Sequence, residues 1–183
     1  MSKQPRSPDD LADVIRNPAP ARRAPVEKNF QMRIGRDGTW YYQESPIRRI
    51  ELVKLFATVL KRDSEGVFWL ETPVERGRIE VDDAPFTAVE VRAERTDGAQ
   101  ILRFRTNLDA EIVAGPEHPI RVEIDSETGE PSPYILVRDG LEALILRPVF
   151  YELVELAEEV AQGGGRVMGV RSGDSFFRLG KAA

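Results

Sequence analysis

The chain has no cysteine, a single histidine, and no apolar run near the ~18 residues that a membrane-spanning helix requires. Without cysteine there is no disulfide, no thiolate metal site and no cysteine nucleophile, and a reducing cytoplasm is the expected compartment. The lone His118 rules out a metal centre built on several imidazoles and leaves one residue to serve a serine triad. The Gly-x-Ser-x-Gly elbow that would present such a serine does not occur. There is no basic excess either: 26 Lys and Arg stand against 31 Asp and Glu, for a net charge of −5. That balance argues against a nucleic-acid binder, which gathers a basic excess into a patch. The first ten residues are polar and lack the apolar core of a secretory signal.

What the sequence does contain is one pattern written twice. Arg36-Asp37-Gly38, an aromatic stretch, Ser45-Pro46 and Leu52-Val53-Lys54-Leu55 recur about a hundred residues later. The second version is Arg138-Asp139-Gly140, an apolar stretch, Arg147-Pro148 and Leu153-Val154-Glu155-Leu156. A turn, a proline and a Leu-Val-x-Leu run in fixed order imply a duplicated strand-turn-strand-helix unit. The expected fold class is α+β: two related strand-turn-strand-helix-hairpin units joined by a strand-rich middle, in a pseudo-two-fold arrangement. The 183 residues, 41% hydrophobic, are enough for such a pair.

Along the chain, residues 1–28 carry five prolines and few apolar side chains, and are expected to form a flexible arm, in which Asp9 to Ile15 can form one or two helical turns with Leu11, Val14 and Ile15 as an apolar edge. Arg22 and Arg23 give that arm local positive charge. The first α+β unit is expected over 29–84. Phe30, Met32 and Ile34 alternate with polar residues as in a half-buried strand. Ser45 reads as an N-cap, with Pro46 at the first helical position and an apolar stripe from Ile47 to Leu60; Lys61 and Arg62 then close the helix. The strand-rich middle and second unit are expected over 85–183, with Asp97-Gly98 as the strongest hairpin signal. Pro148 opens the second helix, whose inward stripe runs on through Val160, and Gly163-Gly164-Gly165 caps it. The first helix would show Arg48, Arg49 and Lys54 to solvent, and the second Glu152, Glu155, Glu158 and Glu159. Faces of opposite charge suit a homodimer.

Candidate chemistry is sparse. Glu80, Asp82 and Asp83 form an acidic cluster of the kind that holds a hard divalent cation, although strand alternation sends Asp83 to the opposite face. Arg49, Arg138 and Arg147 lie at or near helix starts and turns, where a cation opposes the helix dipole unless an acid or an anionic ligand compensates. Glu75, Asp83 and Glu142 are the candidate compensating acids.

These stretches together resemble the bacterial domain-of-unknown-function family DUF1285. The likeness is carried by Asp37-Gly38-Thr39-Trp40, Ser45-Pro46-Ile47-Arg48-Arg49, residues 52–60, Thr72-Pro73-Val74-Glu75, residues 79–86, Thr106-Asn107-Leu108-Asp109, Glu117-His118-Pro119 and residues 133–147. The resemblance implies a two-part α+β fold with repeated motifs and a role in binding or signal transduction. It supplies no catalytic residues. The family's polar motif positions fall at Asp37, Arg49, Glu75, Asp83, Asn107, His118, Arg138 and Arg147.

The expectation is therefore a cytoplasmic, non-enzymatic ligand-binding or regulatory protein without a cofactor or a metal. A small polar or anionic ligand would sit between the repeat units on Arg49, Glu75, Asn107, His118, Arg138 and Arg147. The alternatives are a metal-assisted hydrolase using the acidic cluster and an interaction protein acting as a homodimer.

Overall fold

A computed structural model describes residues 7–20 and 24–181, which fall into two compact units, Met1–Pro85 and Phe86–Ala183. Residues 1–6 and 21–23, expected as part of the arm, lie outside the described residues.

The first unit opens with a helix, in the stretch of the arm where one or two helical turns were expected. α1 (Pro8–Arg16) has Ser7 as N-cap, its Oγ accepting from the Asp10 N–H at 3.2 Å, with Pro8, Asp9 and Asp10 suited to the first turn. Leu11 and Ala12 are buried, and α1 packs on α2 (Ile50–Thr58). Tertiary burial thus orders a segment that its proline content alone marks as irregular.

A six-stranded sheet completes this unit. Its strands are β1 (Val26–Ile34), β2 (Trp40–Tyr42), β3 (Ser45–Pro46), β4 (Leu60–Arg62), β5 (Phe68–Glu71) and β6 (Glu75–Val81), in the order β3-β2-β1-β6-β5-β4. β1 and β6 run parallel and the other neighbours antiparallel. Phe30, Met32 and Ile34 are buried as their alternation requires, and Trp40 packs on Phe56 of α2 at 6.2 Å between ring centroids.

Ser45-Pro46 does not cap the helix. Gln43 and Glu44 adopt left-handed backbone (φ 47° and 60°), so the chain turns in two residues and Ser45 pairs with Tyr42. Pro46 thereby sits in an edge strand, where its missing N–H deprives no neighbour of a bond. The helix starts later, with Arg49 as an N-cap that makes no side-chain capping bond. Lys61 and Arg62 belong to β4, not to the helix end.

The second unit contains β7 (Phe86–Thr96), β8 (Ala99–Thr106), β9 (Glu111–Val113), β10 (Ile120–Ile124), β11 (Pro131–Arg138) and β12 (Leu141–Ile145). They form a sheet in the order β10-β11-β12-β7-β8-β9, with β12 parallel to β7. The β7–β8 and β11–β12 turns have consecutive left-handed residues at Asp97-Gly98 and Asp139-Gly140, as the sequence predicts. After α3 (Arg147–Glu155) comes a separate three-stranded meander of β13 (Glu158–Gln162), β14 (Gly165–Ser172) and β15 (Ser175–Lys181).

The second helix is therefore shorter than expected. Gly163 and Gly164 (φ 61° and 82°) form the β13–β14 turn instead of a helix cap, which puts Val160 opposite Val167 in the meander. Both units place a hairpin, a helix and a three-stranded meander in the same sequence order. Their sheets connect differently. In the first, the last meander strand pairs parallel with β1; in the second, the meander stands apart and β12 pairs with β7.

Candidate functional site

Within the first unit, Arg49 is exposed and its guanidinium meets the Asp9 carboxylate of α1 at 2.7 Å. The acid that offsets this cation at a helix start is thus Asp9, and the contact ties α1 to α2. Glu75 is only 5% exposed and is held by the Lys28 ammonium at 2.5 Å. Its backbone is fixed as well, with Thr72 Oγ1 donating to the Glu75 carbonyl and accepting from its N–H. The acidic cluster is divided: Asp82 pairs with Arg33 at 2.7 Å and Asp83 with Arg36 at 3.2 Å, while Glu80 is exposed. Among the described residues, no group of three or more His, Asp or Glu side chains is placed to share a metal ion.

This unit also carries a stacked network that the sequence did not signal. The Arg76 guanidinium lies 3.7 Å from the centroid of the Trp69 ring, and Trp69 Nε1–H donates to Asp63 Oδ2 at 2.8 Å. Asp63 Oδ1 accepts from the Glu65 and Val67 N–H groups. These bonds, the Trp69 bond foremost, hold the Asp63 carboxyl below its ordinary range.

In the second unit, Asn107 staples the sheet: its N–H donates to the Thr87 carbonyl at 2.9 Å and its Oδ1 accepts the Thr87 N–H at 3.1 Å. Arg138 lies 3.7 Å from Asp139, and Arg147, at the start of α3, lies 3.9 Å from Glu130. Glu142 takes a bidentate contact from Arg121 at 2.6 and 2.7 Å, while that guanidinium stacks over Tyr134. Glu158 and Glu159 leave the helix for β13, where they pair with Arg171 and Arg166. The acidic face of α3 shrinks accordingly.

His118 is placed differently. It lines an open cleft of about 430 Å³ formed by the segment from Val113 to His118, the β14–β15 turn from Ser172 to Ser175, and Ile101 of β8. The walls are fixed by buried bonds. Ser172 Oγ donates to the Ala114 carbonyl at 2.7 Å and accepts the Leu102 N–H at 3.0 Å. The Gly173 N–H donates to Gln100 O at 2.8 Å, and Gly115 and His118 exchange backbone bonds across their own turn.

The His118 Nδ1 lies 3.0 Å from the Leu136 carbonyl oxygen. A carbonyl only accepts, so Nδ1 carries the proton and Nε2 of the neutral ring is an acceptor. Of the sequence-predicted residues, His118 alone lines this cleft; Asn107, Arg138 and Arg147 do not. Ser172 and Asp174 carry no local signal that links them to a loop more than fifty positions earlier.

The chain matches two family models along nearly its whole length. Residues 18–84 match the N-terminal domain of unknown function DUF1285, and residues 85–179 match the C-terminal domain of the same family. The chain belongs to the DUF1285 family. A crystal structure of a DUF1285 protein from Silicibacter pomeroyi DSS-3 is 43% identical, covers 96% of either chain, and superposes with a TM-score of 0.83. A second DUF1285 structure, from Shewanella baltica OS155, is 25% identical over 68% of this chain and 90% of its own, with a TM-score of 0.52. No curated protein matches the sequence.

Proposed function

We propose that this DUF1285 protein is a non-enzymatic ligand-binding or regulatory protein that holds a small polar molecule in the cleft of its second unit. The carrying observation is His118: Nδ1 is committed to the Leu136 carbonyl, which fixes the ring's tautomer in a cleft whose walls are tied by Ser172. A preformed concave site with a few oriented polar groups suits recognition of a small molecule. A metal-assisted hydrolase has less support, since Asp82 and Asp83 are each engaged by a different arginine.

The test is amide chemical-shift mapping of the full chain against a library of small polar fragments. Shifts confined to Gly115, His118 and Gly173 are expected for a subset of fragments. A library that leaves those amides unmoved while shifting others would sink the reading.

A further inference from the structure

We infer that the cleft of the second unit selects an organic cation, an amine with a short apolar body, over an anion of the same size. The inference rests on that cleft being a ligand site and adds the charge of its ligand. Apart from Ser172, whose hydroxyl is committed to Ala114 and Leu102, the polar side chains lining it offer acceptors: the carboxylates of Glu117 and Asp174, the Ser175 hydroxyl and, in the neutral ring, Nε2 of His118. Glu117 and Asp174 are exposed and have no cationic partner among the described residues, unlike Glu90, Glu142 and Glu158, each paired with an arginine. No lysine or arginine lines the cleft, so an anionic ligand would meet the like charges of Glu117 and Asp174. Ile101, Val113 and Pro116 contribute an apolar wall to cover a hydrocarbon stem.

The probes are n-butylamine, butanoate and butanol, titrated into the full chain and followed by amide shifts of Gly115, His118 and Gly173. Butylamine is expected to move these signals at lower concentration than either analogue, with binding weakened by added salt. Neutralising the rim with Glu117→Gln and Asp174→Asn should each weaken butylamine by roughly fivefold and leave butanol unchanged. Both carboxylates are exposed, so these variants fold, and an unchanged melting temperature confirms it. Saturable binding of butanoate or butanol in preference to butylamine overturns the charge assignment while the cleft reading stands. No shift at these amides with any of the three overturns both.

Discussion

Phe30 lies flat against Gly77 across the parallel β1–β6 pair, so close that a Cβ at position 77 would sit 2.0 Å from the phenyl Cδ2. The glycine is there for space, since its backbone is not left-handed. Gly77→Ala must push the ring out of a packed core, at a cost of about 1–3 kcal/mol. Urea denaturation should show that loss, and a variant as stable as the parent would mean the ring moves freely.

The Lys28–Glu75 pair gives a second prediction. Both side chains are nearly inaccessible, at 11% and 6% exposure. Lys28→Ala strands a buried carboxylate and should destabilise by about 3–5 kcal/mol, whereas the paired change Lys28→Met with Glu75→Leu should recover most of it. A double variant no more stable than the single one would refute the argument.

Acid sensitivity should trace in part to Asp63, whose carboxyl is held low by Trp69 and by the Val67 N–H. A carboxyl depressed in the folded state adds stability above its unfolded value, near pH 3.9, and that stability is lost as pH falls through the lower folded value. Asp63→Asn should therefore be less stable than the parent at neutral pH, with the gap closing as the pH falls below the ordinary carboxylate range. Chemical denaturation at neutral and acid pH measures it, and a gap that stays constant would assign the effect to lost packing.

Ser172 provides a prediction that joins stability to the site. Ser172→Ala leaves the buried Leu102 N–H and the Ala114 carbonyl without their shared partner, costing about 1–3 kcal/mol. Hydrogen exchange at Leu102 should accelerate, and fragment shifts at Gly115 and Gly173 should broaden or vanish. Protection at Leu102 equal to the parent's would argue that the hydroxyl holds nothing in place.

Much of the fold was legible because its signals are local. Asp97-Gly98 and Asp139-Gly140 supply two consecutive left-handed residues, and each closes the hairpin it announces. Pro148 stands in the first turn of α3, where its missing N–H is harmless. Ser45-Pro46 misled because the same pair serves a helix start or an edge strand. Gln43 and Glu44 decide between them, by turning left-handed without glycine. β13 was hidden for a related reason: residues 158–162 continue a helical spacing until three glycines favour a turn. The cleft was out of reach. Its two walls are distant in sequence, and the arginines that looked like ligand contacts are engaged with nearby carboxylates.

Both tryptophans, Trp40 and Trp69, belong to Met1–Pro85, and none lies between Phe86 and Ala183. Trp40 is 1% exposed and its indole N–H has no partner among the described residues, so its emission reports an apolar surrounding. Intrinsic fluorescence is thus a spectroscopic window on one half of the molecule, while far-ultraviolet dichroism averages over all of it. Melting curves that separate between the two readouts would identify halves that fold on their own, and curves that coincide would identify one cooperative transition.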